Sequence, residues 1–233
     1  MENVDITPMF DRTKALIGEQ NVDKLRNCNI CICGIGGVGS YALEAIARMG
    51  VNNITVIDKD KVDVTNINRQ LVASWYTVGM EKTDVAKVHV ETVNPGAKVE
   101  AIFDYIDIGN VNEYITDKFD YVIDAIDSIS SKVALIQRCK ELNIPIISCM
   151  GMANKLDPLK IKIADISKTT VCPLAKVIRK RLKDLGINKV KVVYSDEEPI
   201  KNEQKKLGSV PFVPSVAGLI IASEVIKDLI SIK

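Results

Sequence analysis

Three things are missing from this chain of 233 residues, and each narrows what it can be. There is no excess of charge. Lys and Arg number 31 against 30 Asp and Glu, a net of +1, so any contact with nucleic acid has to come from a local patch. There is no long apolar run either. The start, MENVDITPMFDRTK, has no apolar segment and carries Glu2 and Asp5 early, unlike a secretory leader. The closest approach to a membrane span, SVAGLIIASEVI, is interrupted by Ser223 and Glu224 and falls short of the roughly 20 residues required. No membrane association and a cytoplasmic location are therefore expected. Finally, the six cysteines give no disulfide framework and no clean metal site. Cys28, Cys31 and Cys33 fall on an expected strand, where Cys28 and Cys31 point to opposite faces, so they read as small buried residues. The one histidine, His89, lies on a helical face and receives no role.

What is present is an ordinary globular composition, 47% hydrophobic and 26% charged, large enough to bury a full sheet. Strand-length apolar runs NICICG and NITVID flank a helical stretch from Gly37 to Met49. VGMEKTDVAKVHVETVNP reads as a helix with Val85, Val88 and Val93 facing inward, closed by Pro95. Then follow a strand near KVEAIFDY, a short helix at NVNEYITD, the strand YVIDAID, the helix SSKVALIQRCKELN and the strand PIISCMG. Such alternation implies an α/β protein with a Rossmann-like, mostly parallel sheet flanked by helices. After Gly151 the period changes. LKIKIADI and KVKVVYS alternate and read as half-exposed antiparallel strands added in the C-terminal third, with the helix PLAKVIRKRLKDLG between them. A polar stretch, DEEPIKNEQKKLGS, reads as a mobile connector, and AGLIIASEVIKDLI as a core-packed helix. The expected organisation is one domain over 1–233, with a nucleotide-binding core at 1–150 and a substrate-side extension at 151–233.

Chemistry concentrates at CICGIGGVGSYALEAIARMGVNNITVIDKDKVDVTNINRQ. Gly34, Gly36 and Gly39 form G-x-G-x-x-G between a strand and a helix, with Gly37 beside them. Glycines let the backbone approach a phosphate, and the helix N-terminus offers unpaired N–H groups. Asp58 ends the second strand roughly 20 residues on, where a carboxylate takes a ribose hydroxyl. So far a nicotinamide-dependent dehydrogenase fits equally well. Asn66, Arg69 and Gln70 follow at the same sheet edge, then Lys82 at a helix start, then Asp124 and Asp127 at the end of YVIDAID. A pyrophosphate bridge needs little beyond backbone amides. Two cations and an acidic strand end suit a triphosphate under attack, with a carboxylate to hold Mg2+.

GIGGVGS, VIDKDKVDVTNINRQ, VGMEKTDVAK, NP and YVIDAIDS together resemble the E1-like adenylating enzymes of the HesA/MoeB/ThiF superfamily, which activate carboxylates with ATP. The resemblance implies that Asp58 holds the ribose, that Asn66, Arg69, Gln70 and Lys82 surround the phosphates, and that Asp127 coordinates Mg2+. It also implies that Arg12 reaches the neighbouring subunit's triphosphate, hence a homodimer. Close family members have Arg where this chain has Met9, which leaves Arg12 as the one basic residue before Lys14. One branch adenylates the C-terminal glycine of a ubiquitin-like sulfur carrier and often has Cys-x-x-Cys pairs for zinc in its second half; this chain has none there. FDRTKALIGEQNVDKL, VIDAIDSISSKVALIQRC, IPIISCMGMANKLDP, IKIADISKTTVCPLAKVIRKRL and VPSVAGLIIASEVI resemble instead the tRNA threonylcarbamoyladenosine dehydratases. That branch implies ATP-dependent cyclisation of the modified adenosine in the anticodon loop, with a sulfur-relay protein as a possible partner.

A tRNA substrate calls for a cationic surface. At 100° per residue Lys176, Arg179, Lys180 and Lys183 cluster on one side of their helix, with Leu174, Ile178, Leu182 and Leu185 opposite. KNEQKK at 201–206 is a second candidate. Cys172, before Pro173 at that helix start, sits where the helix dipole favours a thiolate, yet the resembling branch usually has Asp there.

Overall fold

The computed structural model describes residues 7–201 and 207–232. Its strands are β1 (Asn29–Cys33), β2 (Asn53–Ile57), β3 (Lys98–Ile102), β4 (Tyr121–Asp124), β5 (Ile146–Cys149), β6 (Ile161–Asp165) and β7 (Lys191–Ser195). They form one sheet in the order β3-β2-β1-β4-β5-β7-β6. Every pairing is parallel except that of β6 with β7. The central strands are apolar almost throughout because helices cover both faces. Ile30, Ile32, Ile54, Val56 and Ile123 pack with α3 (Gly39–Arg48) and α8 (Phe212–Ile230). Cys31, Cys33 and Val122 pack on the other face with α6 (Ile129–Glu141) and α7 (Pro173–Asp184). α3 and α8 cross almost backbone to backbone: a Cβ on Gly218 would lie 2.3 Å from the Val38 carbonyl oxygen.

The C-terminal third differs from its expected form. β6 is half-exposed, but β7 is buried on both faces and runs parallel to β5, with Ile147 opposite Lys191. Its alternation has lost its meaning because α8 covers the second face: Val192 joins one core layer and Val193 the other. α8 also begins earlier than expected, running through Pro214, which the first helical turn tolerates because its N–H would have no partner there. Ahead of β1 stand α1 (Asp11–Ile17) and α2 (Glu19–Asn27), separated by Gly18 at φ +84°. On α4 (Lys82–Val93), Val85 is buried but Val88 is exposed, and the one-turn α5 (Val111–Tyr114) lies between β3 and β4. All six cysteines are buried and unbridged. Cys31 and Cys33 share a face with sulfurs 3.6 Å apart. Residues 202–206 of the expected mobile connector lie outside the described residues, as does that part of the second cationic candidate. The connector's flanks are tied down: Ile200 N donates to the Asn154 carbonyl (2.7 Å) and Gly208 N to Asn154 Oδ1 (2.6 Å). No helix of the described residues is long and apolar enough to cross a membrane.

Candidate nucleotide site

β1 lies between β2 and β4, and the following helices, α3 and α6, pack on opposite faces of the sheet. The carboxyl end of β1 is thus the point where the sheet reverses its winding and leaves a crevice for a ligand. The glycine turn fills that place. Gly34 takes φ +90°, and a Cβ there would lie 2.7 Å from the Ala125 carbonyl oxygen. Gly39 opens α3, so close to the turn that its Cβ would sit 1.8 Å from the Gly34 oxygen. Gly36 is different: the nearest atom to a Cβ is Gln70 Nε2 at 3.9 Å, so the backbone here borders open space. Gly37 is flanked by Pro214 and the Arg69 side chain.

Asp58 ends β2 beside the turn. Its Oδ2 accepts from Ile35 N (2.5 Å) and its Oδ1 from Asp60 N (2.8 Å). Burial pushes its carboxyl above the ordinary range, although the nearby Lys82 ammonium and both amides pull the other way. Lys82 is itself buried at the start of α4, with Nζ 2.9 Å from Asp60 Oδ2. Asp63 and Asn66 close a capping box: Asp63 Oδ1 accepts from Thr65 N and Asn66 Oδ1 from Asp63 N. The turn continues as the Asn66 carbonyl takes both Arg69 N (3.0 Å) and Gln70 N (2.9 Å). Arg69 is fixed by Nη1 to the Thr65 carbonyl (2.9 Å) and Asn68 Oδ1 (2.8 Å). Gln70 is buried beside Gly36, and its Oε1 has no hydrogen-bond partner. Its Nε2, the nearest atom to a Gly36 Cβ, makes no hydrogen bond among the described residues and offers a ligand acceptor a donor.

Asp124 and Asp127 part company. Asp124 is fully buried and engaged by Lys132, whereas Asp127, three residues past the strand end, is exposed and makes no hydrogen bond or ion pair among the described residues. Among those residues no group of three or more His, Cys, Asp or Glu stands ready for a metal. Arg12 lies elsewhere. It is exposed on α1, just after Phe10, whose ring packs on Gly50 beyond the far end of α3. A helix the length of α3 spans about 15 Å, and it separates that anchor from the glycine turn of the same chain.

On α7 the buried residues are Ala175, Ile178 and Leu182, while Leu185 is exposed, so the apolar stripe sits slightly off its expected position. Lys176, Lys180 and Lys183 face solvent, joined by Arg181. Arg179 is a correction to the cationic cluster: its Nη1 donates to the carbonyls of Ile166 (3.3 Å) and Thr169 (3.0 Å) and to Thr169 Oγ1 (2.8 Å). The guanidinium holds a turn, where five fixed donors do better than an ammonium. Cys172 is buried at the N-cap of α7, with no side-chain capping bond, and its sulfur lies 3.7 Å from where a Gly151 Cβ would be. The helix therefore starts at the same sheet edge as the nucleotide crevice.

Sequence reading passed over Ser40, Pro214 and Lys132. Ser40 Oγ accepts Leu71 N (3.1 Å) and ties the Arg69–Gln70 turn to α3. Lys132 had a readable signal, since with Leu135, Ile136 and Cys139 it falls on the apolar i, i+3, i+4, i+7 face of α6.

The ThiF family profile matches residues 10–233. A tRNA threonylcarbamoyladenosine dehydratase of Bacillus subtilis (strain 168) is 43% identical, over 95% of this chain and 94% of its own length. One from Escherichia coli (strain K12) is 40% identical, over 85% of this chain and 70% of its own length. The crystal structure of the E. coli tRNA N6-threonylcarbamoyladenosine dehydratase TcdA in complex with ATP superposes with a TM-score of 0.92 at 37% identity, covering 96% of this chain and 94% of that one.

Proposed function

The chain belongs to the ThiF family, and on that premise we propose that it is an ATP-dependent tRNA threonylcarbamoyladenosine dehydratase, acting in the cytoplasm as a homodimer. The observation that carries the choice of substrate is the extent of the likeness. It runs through α7, β7 and α8, the third of the chain where E1-like enzymes diverge by substrate, and not only through the glycine turn. Incubation with threonylcarbamoyladenosine-bearing tRNA, ATP and Mg2+ yields a nucleoside lighter by one water. Unchanged nucleoside from protein that binds ATP contradicts the assignment.

The geometry supports a division of labour. The α3 N-terminus and Gly36 receive phosphate, Asp58 accepts the ribose hydroxyls, and Gln70 Nε2, beside Gly36, donates to a phosphate oxygen. Lys82 and Arg69 stand against the triphosphate charge, with Asn66 shaping their turn. A carboxylate oxygen of the substrate attacks the α-phosphorus and pyrophosphate leaves, giving an acyl-adenylate. A nitrogen of the same substrate then attacks the acyl carbon and AMP departs with the former carboxylate oxygen. Ring closure is intramolecular, so high effective molarity replaces a protein nucleophile. The enzyme's contribution is to hold the reactants and stabilise charge. The donor set suits Mg2+ bound mainly through phosphate and water with one protein carboxylate, Asp127. When bound, the ion neutralises charge developing on the phosphates.

The raised Asp58 carboxyl sets a pH dependence. Ribose hydroxyls donate to the carboxylate form, so on acidification ATP affinity starts to fall above the ordinary aspartate range, about 3.9. Calorimetric titration across pH 4–7 measures this, with Asp58→Asn lacking that inflection. For the empty protein the sign is opposite. A carboxyl whose folded pKa exceeds its unfolded one contributes stability at acid pH and loses it as pH rises through the folded value.

Arg12 cannot serve its own glycine turn from the far end of α3, and we assign it to the partner's triphosphate. Arg12→Ala and Asp127→Ala homodimers are each expected to be inactive. After subunit exchange of an equal mixture, mixed dimers hold one complete site, restoring about a quarter of parental activity. Exchange without recovery contradicts a shared site.

Lys176, Lys180 and Lys183 are proposed to meet tRNA phosphates. Replacing all three by Ala lowers the slope of log affinity against log salt by roughly 0.7–0.9 for each phosphate no longer neutralised. Arg179→Ala leaves that slope unchanged and instead costs about 1–3 kcal/mol of stability by freeing buried carbonyls. Filter binding over a salt series, beside thermal unfolding, separates the two.

A further inference from the structure

Beneath the loop that carries Asp127 lies a charge pair with no access to solvent. Asp124 at the end of β4, Lys132 on α6 and Ser148 on β5 are all fully buried. Lys132 Nζ is 3.0 Å from each Asp124 oxygen and 3.4 Å from Ser148 Oγ, and Ser148 Oγ donates to Asp124 Oδ2. Asp124 Oδ1 also accepts Ile126 N at 3.1 Å. A carboxylate offers about four acceptor positions, and here all are taken. Asp124 is therefore no ligand in waiting.

A buried ion pair is a poor device for stability, because desolvation offsets the attraction and an apolar replacement often does as well. What this one supplies is geometry. It fixes the amide of Ile126, the residue before Asp127. Ala125 is fixed in turn: its N–H donates to the Cys33 carbonyl at 2.8 Å, and its own carbonyl lies against Gly34, leaving no room for a Cβ there. The loop is thus pinned between the ion pair and the glycine turn, with Asp127 as its free end.

We propose that Lys132 and Ser148, acting through Asp124, are positioning residues that aim Asp127 at the metal-bearing phosphates. The inference rests on reading Asp127 as the metal ligand. Two variants test it: Ser148→Ala, which keeps the ion pair, and Asp124→Leu with Lys132→Met, which replaces the pair by apolar side chains. ATP binding is titrated calorimetrically in EDTA and in Mg2+, and unfolding is recorded on the same samples. Both variants bind ATP in EDTA as the parent does, but the affinity gained from Mg2+ shrinks about tenfold, as when support of a metal ligand is removed. A merely structural network would lower the melting temperature and leave that gain intact, which overturns the inference whatever the stability. A parent protein that gains nothing from Mg2+ overturns the reading of Asp127 itself. Ser148→Ala removes a single hydroxyl, so it remains informative if the double variant folds poorly.

Discussion

Asp127→Ala lowers turnover by about a thousandfold, the scale seen when a main electrostatic group is removed from a transition state. ATP binding in EDTA is unaffected, because the side chain is exposed and makes no hydrogen bond or ion pair among the described residues. The effect is large because nothing nearby substitutes. Asp124 is saturated by Lys132, Ser148 and the Ile126 amide, and Asp60 is engaged with Lys82. Asp127→Asn keeps the shape and loses the charge, so it falls between parent and Ala. Steady-state assays at several Mg2+ concentrations check this. A variant retaining the parental rate and Mg2+ requirement moves the metal off Asp127.

The glycine turn gives the second large effect, and here two neighbouring glycines separate folding from binding. Gly39→Ala places a methyl 1.8 Å from the Gly34 carbonyl oxygen, where only backbone could yield. Overpacking of this kind costs about 3 kcal/mol or more, and for a chain of this size each kcal/mol lowers the melting temperature by about 2–4 °C. A fall of about 6–12 °C is expected, and displacement of the α3 N-terminus removes ATP binding as well. Gly36→Ala meets nothing closer than 3.9 Å and does not require positive φ, so the fold keeps its melting temperature. Its methyl occupies the space left for phosphate, and ATP binding is abolished. Thermal unfolding with and without ATP reads both. Equal loss of stability at the two positions contradicts the geometry.

The sequence made the crevice legible because its chemistry is local. G-x-G-x-x-G follows a strand, Asp58 ends the next, and Asn66, Arg69 and Gln70 lie one turn beyond, so each is placed by its neighbours in the chain. The parallel pairing of the first five strands followed from alternating strands and helices for the same reason. What could not be read depended on contacts from elsewhere. β7 alternates like a half-exposed strand, but α8 returns to cover it. Arg179 has the spacing of a surface cation, yet the Ile166–Thr169 turn comes within its reach. Asp124 and Asp127 look equivalent in YVIDAID. Only the buried Lys132, eight residues on, distinguishes the locked carboxylate from the free one. Arg12 belongs to the motif by resemblance and is distant from the crevice in space, a separation no single chain resolves.

Acyl-adenylate formation is tested most directly by following one oxygen. With 18O placed in the threonyl carboxylate of the modified tRNA, that oxygen must bridge to the α-phosphorus and leave with AMP during ring closure. Mass analysis is therefore expected to find AMP carrying one 18O in step with cyclised nucleoside. Unlabelled AMP, or ADP and phosphate as the products, would contradict it.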